Sequence, residues 1–413
     1  MKATSRLAPR WCALAVGLLV VLFLGALQFA QGQKREKASP STGLVLLQPQ
    51  LPSTAVNDPK AAGIKLTGPC TYKNLTIFLV HGPDTIKDLH LLTLAEALKE
   101  KKALIRETGN VNELAVQNLS KDSDIFIQSG DIVKGGQQDR LLACDLVVPT
   151  GSGKMPIPSF CVESGRWQQR GKEDAAQFAS STGQAASKRL KLAGGNLGGG
   201  AGNLGMMGGS PANQDGRNQG GGNFGGGGLG LGGLGAGGQG RVWGEVGQFQ
   251  NDLEGQLGKK LRNKQSPSSL QLTVENEEVQ KAVKPYVRAL SSAVQDKKDV
   301  VGFVFAVNGN INSADLYASN ELFRKLWSRL LEAAAVEART ELNEKEKPPS
   351  VTVSEVISFL KNADAKKPVQ IGATDRIRIV MTETDQCFYF QTLDRKRQDV
   401  PIHRSYLKKL PER

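Results

Sequence analysis

Val300-Val301-Gly302-Phe303-Val304-Phe305-Ala306-Val307, then Asn308-Gly309-Asn310, then Ile311-Asn312-Ser313-Ala314-Asp315-Leu316, is two apolar runs on either side of a turn. Asn and Gly both tolerate positive φ, so the arrangement predicts a β-hairpin. Directly after it stands Ser319, a residue type that caps helices, followed by Leu322, Phe323, Leu326, Trp327, Leu330 and Leu331 at helical spacing. A hairpin feeding an amphipathic helix predicts that this half of the chain is α+β.

The flanking sequence agrees. Upstream, Val279, Val283, Tyr286, Val287 and Leu290 mark a helix that has to accommodate Pro285. Earlier still, Val242, Val246, Phe249, Leu253 and Leu257 recur in steps of four and three and predict another. Downstream, Thr352 with Glu355 forms a capping box ahead of Val353, Val356, Ile357 and Leu360. Arg376–Met381, Cys387–Thr392 and Val400–Leu407 read as strands.

The preceding block is richer in strands. Leu75–Val80, Ala103–Glu107, Leu114–Leu119, Ile125–Gln128, Leu141–Val148 and Ile157–Glu163 are short apolar or alternating runs separated by turn residues, the pattern of an antiparallel sandwich or barrel. Leu91–Lys99 interrupts them with helical spacing, and Asp174–Leu192 reads as a helix. The fold class expected is therefore α+β: a strand-rich antiparallel N-terminal block, a mixed helix/sheet C-terminal half, and a long Gly-rich insertion between them. That insertion, residues 194–240, holds about half of the chain's 47 glycines and is expected to lack order, because it cannot offset its ordering entropy by burial. Its glycines follow no strand and open no helix in the way a phosphate loop requires.

Residues 1–30 read as a targeting segment. Lys2, Arg6 and Arg10 precede twenty uncharged residues from Trp11 to Ala30. That length just spans a bilayer, which favours a retained anchor over a cleaved signal peptide, and the cations before it place the rest of the chain on the outer face. Residues 31–65, rich in Pro, Ser, Gln and Lys, read as a tether. The folded part then divides into 66–193 and 241–413.

Cys12 lies in the apolar segment, which leaves Cys70, Cys144, Cys161 and Cys387 in a compartment that permits disulfides. Neighbouring strands suggest Cys144 with Cys161. Wide cysteine spacing and only three histidines, His81, His90 and His403, argue against a metal site, and no cofactor is expected. A net charge of +13 points to an anionic neighbour, but the basic runs are scattered and lack interleaved aromatics, so no specific nucleic acid is expected.

Two segments are more polar than a structural strand needs. Gly130–Arg140 sets Asp131, Asp139, Gln137, Gln138, Lys134 and Arg140 beside three glycines. Its carboxylates could act as a general base or hold a cation; equally, Asp131 and Asp139 could cap turns of a hairpin while Arg140 pairs with a neighbouring carboxylate. Cys161-Val162-Glu163-Ser164-Gly165-Arg166-Trp167 puts a thiol and a carboxylate on one face of a strand. No histidine lies near to activate the thiol, so a buried Cys161, an Arg166–Glu163 pair and a core Trp167 is the plainer expectation.

Gly130–Arg140, Cys161–Trp167, Val242-Trp243-Gly244-Glu245-Val246, Ser313–Leu316 and Leu322–Trp327 resemble, in order, the motifs of the ARG and rhodanese-phosphatase superfamily associated protein domain. The resemblance spans Tyr72 to Leu407. It implies a shared fold and supplies no catalytic residue. Together these readings lead to an exported, membrane-tethered, non-catalytic protein that binds a partner or an anionic polymer. The alternative is a hydrolase or transferase acting on an anionic substrate through Asp131, Asp139, Glu163 and Arg140, in which case these side chains and Arg166 should meet in one cleft.

Overall fold

The computed structural model describes residues 65–166, 168–171, 173, 177–184, 188–194, 233–362 and 366–410. The expected anchor, the tether up to residue 64, Trp167 and most of the glycine tract lie outside the described residues. The first elements are β1 (Lys65–Tyr72), β2 (Leu75–His81), β3 (Leu91–Thr93), α1 (Leu94–Lys99), β4 (Ala103–Glu107), β5 (Glu113–Asn118) and β6 (Asp124–Ile127). Next come β7 (Asp131–Gly135), β8 (Arg140–Leu142), β9 (Leu146–Val148), β10 (Lys154–Cys161), β11 (Phe178–Gln184), α2 (Lys188–Gly194) and α3 (Gly233–Leu257). The remainder is α4 (Leu270–Val274), α5 (Glu277–Leu290), β12 (Val300–Val307), β13 (Asn310–Tyr317), α6 (Asn320–Thr340), α7 (Val353–Asn362), β14 (Val369–Ala373), β15 (Ile377–Glu383), β16 (Cys387–Asp394) and β17 (Val400–Lys408). The fold is α+β, and every strand pair is antiparallel except the short β3–β6 pair.

An eight-stranded sheet in the order β1-β2-β12-β13-β17-β16-β15-β14 organises the molecule. It takes its first two strands from the N-terminal block and the rest from the C-terminal half, so the two sequence halves share one sheet. The β12–β13 hairpin turns at Asn308 and Gly309, both with positive φ (50° and 74°), as the Asn-Gly pair requires. Strand β12 is buried at every position because both faces of the sheet are covered. Phe303 and Phe305 point to one side, where Phe303 meets Trp327 of α6 edge-on at 5.7 Å. Val304 and Ala306 point to the other, against Val356, Phe359 and Leu360 of α7.

Both helices start where their caps place them. The Ser319 hydroxyl accepts from Leu322 N, and Thr352 and Glu355 exchange the reciprocal bonds of a capping box. Pro285 sits inside α5, as expected. The rest of the N-terminal block forms a six-stranded sheet, β11-β7-β8-β10-β5-β4, and a three-stranded one, β3-β6-β9.

Three expectations are corrected. The run Leu141–Val148 is two strands, β8 and β9, in different sheets; the chain changes sheet at Ala143–Asp145 because the Asp145 carboxylate is drawn to partners elsewhere. The expected helix over Asp174–Leu192 is instead β11 followed by the short α2, because Phe178–Ser180 pair with Val133–Gly135 of β7 and that ladder outweighs local propensity. Of the tract 194–240 expected to lack order, Gly194 ends α2 and the residues from Gly233 are in α3, while 195–232 lie outside the described residues. Its glycines give a close seam there: a Cβ at Gly194 or Gly238 would already touch the Phe160 ring at 3.3 and 3.4 Å.

Candidate functional site

Gly130–Arg140 is a hairpin, β7 and β8, with Val133 opposite Arg140. Its turn needs glycine at Gly136, where φ is +54° and a Cβ would lie 2.3 Å from the Phe178 ring. The turn carries Asp139 inward, and the loop after β10 brings Glu163, Arg166 and Arg170 to meet it. Arg170 donates to both Asp139 oxygens at 3.0 Å and to Glu163 Oε1 at 3.2 Å. Arg166 Nε donates to Glu163 Oε1 at 2.7 Å, and its terminal nitrogens reach the carbonyls of Gly135, Gly136 and Gln168. Ser269 donates to Asp139 Oδ2 at 2.9 Å, Ser266 donates to Glu163, and Asp139 N donates to Glu163 Oε2. Neither carboxylate has any solvent exposure.

Burial raises the Asp139 carboxyl above its ordinary value, against the opposing pull of Arg170. Burial pushes Glu163 the same way, but bonds from Arg166 and Ser266 outweigh it and hold that group low. The arrangement is a sealed ion network joining the β7–β8 hairpin, the loop after β10 and the segment leading into α4. A general base has to lie within hydrogen-bond reach of a substrate proton, and these oxygens are already engaged by guanidinium, hydroxyl and amide donors.

The other two anticipated residues lie elsewhere. Asp131 is buried, accepts from Gln128 N, and stands 3.3 Å from Arg329 of α6. Arg140 pairs with Glu107 of β4 at 3.2 Å and donates to Gln138. Cys161 is buried, and its backbone is clamped by Gln239 of α3, whose amide bonds both Cys161 N and O. Burial raises its thiol, the reverse of what an activated nucleophile needs.

The Cys144–Cys161 disulfide is corrected: both are free, as are Cys70 and Cys387. Cys161 lies opposite Arg140 in the β8–β10 ladder, whereas Ala143, the residue before Cys144, donates its N–H to Pro158 O. Cys144 is thus offset from Cys161 by about four strand residues, or roughly 13 Å, beyond the reach of a disulfide. Among the described residues no three or more His, Cys, Asp or Glu side chains gather as metal ligands would.

Two features escaped the sequence. The first is a buried chain around His403 of β17. Its Nδ1 lies 2.7 Å from Asp145 Oδ2 and its Nε2 3.1 Å from Asp315 Oδ1, while Tyr317 stacks on the ring with centroids 4.7 Å apart. Asp145 also accepts from Ser129 N at 2.8 Å and from the Thr392 hydroxyl at 2.5 Å. Burial alone would lower the imidazole; the Asp145 charge, then hydrogen bonds to both aspartates, raise it to about 9, so it is an imidazolium at neutral pH.

The second is an open cleft of about 360 Å³ bounded by α2, α3, the end of α6 and the end of β17. Lys188 and Lys408 line it from α2 and β17; Glu245, Asp252, Glu337 and Glu341 line it from α3 and the end of α6. Its floor includes Val307, Ile311 and Asn312 of the central hairpin. Glu337 is almost fully buried and accepts from Lys188 N at 3.1 Å and from Asn312 Nδ2 at 2.9 Å. Burial raises its carboxyl.

No curated protein and no solved structure matches the chain. Residues 63–407, a range that contains the sealed network, the start of α6 and Asp315, match the ARG and Rhodanese-Phosphatase-superfamily-associated Protein domain. By that match, which covers most of its length, the chain belongs to the family of this domain.

Proposed function

We propose that this is an exported, membrane-tethered binding protein without catalytic activity, which holds an anionic polymer or an acidic partner in the cleft between α2, α3, α6 and β17. One observation carries the reading: Lys188 and Lys408 line the same cleft, and neither amine has a hydrogen bond or ion pair among the described residues. Burial lowers the Lys188 amine first; the Glu337 and Glu341 charges oppose that, the Lys408 charge adds to it, and the net direction is down, so an anion between the two lysines would favour the charged amine. The hydrolase alternative requires Asp131, Asp139, Glu163 and Arg140 to act together. Of these, Asp139 and Glu163 are enclosed and saturated, and Asp131 and Arg140 are committed to Arg329 and Glu107, which weighs against it.

Two measurements on the full-length chain test the proposal. A C-terminal alkaline phosphatase fusion is expected to be active; activity of only a cytosolic reporter at that position overturns the export part. Immobilised poly-L-glutamate is expected to retain the detergent-solubilised chain at low ionic strength, release it as salt screens the contact, and retain the Lys188→Gln/Lys408→Gln double variant less. No retention by the parent chain at low salt overturns the binding part.

A further inference from the structure

Helical periodicity places the acidic part of the cleft. Glu245, Phe249 and Asp252 recur on α3 in steps of four and three, and Glu337 and Glu341 stand four apart at the end of α6, so each helix turns one face to the concavity. Glu341 is the C-cap of α6, where the helix dipole adds partial negative charge and favours a cation. Among the described residues, four basic and four acidic side chains line the cleft, so its charge is balanced.

These charges are not spent on one another. Both Glu337 oxygens are taken by amides, the Lys188 N–H and Asn312 Nδ2, so the Lys188 amine lies in the field of Glu337 without bonding it. Like the amines of Lys188 and Lys408, the carboxylates of Glu245 and Glu341 have no hydrogen bond or ion pair among the described residues. Burial raises the Glu337 carboxyl and lowers the Lys188 amine, so neither sign of charge is fully compensated. A bare polyanion would serve the lysines and be opposed by the carboxylates; a bare polycation would meet the reverse.

We infer that the cleft takes a polypeptide segment of mixed charge, its carboxylates on Lys188 and Lys408 and its lysine or arginine side chains on Glu245 and Glu341. The inference rests on the binding reading above and narrows the partner to one that carries cations among its acids. The seven residues of α3 from Glu245 to Asp252 span roughly 10 Å at about 1.5 Å each, too far for one small zwitterion and suited to about three extended residues at about 3.3 Å each. Successive side chains of an extended chain point to opposite sides, so alternating acids and bases reach both sets of charges at once.

The test measures binding of three end-capped hexapeptides to the detergent-solubilised full-length chain at near-physiological salt: alternating glutamate and lysine, alternating glutamate and serine, and glutamate throughout. The chain's net charge of +13 favours the last two at long range, so only carboxylates at the binding site can reverse that order. The glutamate-lysine peptide is expected to bind about tenfold more tightly than the glutamate-serine peptide. The Glu245→Gln/Glu341→Gln double variant is expected to lose that advantage while holding the glutamate-serine peptide at least as well as the parent does, and Lys408→Gln is expected to weaken all three. Equal or tighter binding of the glutamate-serine or all-glutamate peptide by the parent chain overturns the mixed-charge inference and leaves the anion reading standing. An advantage that survives the double substitution overturns it too. If none of the three binds, the inference falls, and retention on poly-L-glutamate, measured separately, decides the anion reading. Should the double variant not fold, Glu341→Gln alone, at an exposed position, decides.

Discussion

Raising the pH from 6 to 9 is expected to remove about 3 kcal/mol of folding stability through one side chain, His403. In the folded chain its imidazolium is kept to about 9 rather than 6.5 by the aspartates on either side, Asp145 and Asp315. A proton affinity raised from 6.5 to about 9, at about 1.4 kcal/mol for each tenfold, ties about 3 kcal/mol to that proton. Depression of the Asp145 carboxyl by His403 is the same attraction seen from its partner and is counted once, whereas burial opposes and the Lys191 charge, ahead of His403, holds the Asp315 carboxyl low. Because the folded value lies above the unfolded one, the contribution is complete below about 6.5 and is lost as pH rises through about 9. At the acid end the sign reverses: Asp315, held at about 2, contributes fully above 3.8 and loses its share as pH falls through about 2.

The assay is urea unfolding at half-unit steps from pH 6 to 9, in parent and in His403→Gln. The parent is expected to lose stability steeply toward pH 9. The variant starts lower, since Asp145 then lacks its cation and Asp315 keeps only Lys191, and should lack the component tied to the imidazole. Histidine NMR supplies the direct check. An imidazole at position 403 that gives up its proton near 6.5, or a variant with the same pH slope as the parent, refutes the reasoning.

Removing the Arg170 guanidinium by Arg170→Met leaves Asp139 and Glu163 facing each other with Arg166 alone, and should cost about 3–5 kcal/mol in urea unfolding; a loss under 1 kcal/mol would mean that the network is open to water. Gly136→Ala places a methyl on the Phe178 ring in a left-handed conformation and is expected to cost about 1–3 kcal/mol, while the same change at Gly151, whose φ is also positive but which faces open space, should cost less. Alkylation under denaturing, non-reducing conditions should label Cys70, Cys144, Cys161 and Cys387; a linked Cys144–Cys161 peptide would contradict the strand offset.

Local signals carried much of the fold and little of the site. The Asn308-Gly309 turn, the Ser319 cap and the Thr352–Glu355 box each act within a few residues, so their consequences can be read from spacing alone. The same holds for the Glu163–Arg166 pair, three residues apart. Long-range partners leave no such trace. Ser266 and Ser269 reach Glu163 and Asp139 from more than a hundred residues away, and nothing in Gly130–Arg140 marks Asp139 as enclosed rather than exposed. His403 is a lone histidine in a strand, and only the pairing of β17 with β13 and the sheet change before β9 make it the centre of a charged chain.

That difference bears on where binding should be sought. Polar residues concentrated in sequence invite a catalytic reading, yet here Arg170 and Arg166 are spent on holding the hairpin, just as the lone His403 is spent on the crossing at Asp145. Lys188 and Lys408, whose amines have no hydrogen bond or ion pair among the described residues, come from two elements far apart in sequence and meet in one cleft. Unspent hydrogen-bonding capacity inside a concavity is the better guide to a ligand, because a satisfied charge gains little from a new partner whereas an unsatisfied one gains most of what its desolvation cost. On that physical ground the α2–β17 cleft, and not the aspartate-rich hairpin, is where a ligand would contribute affinity.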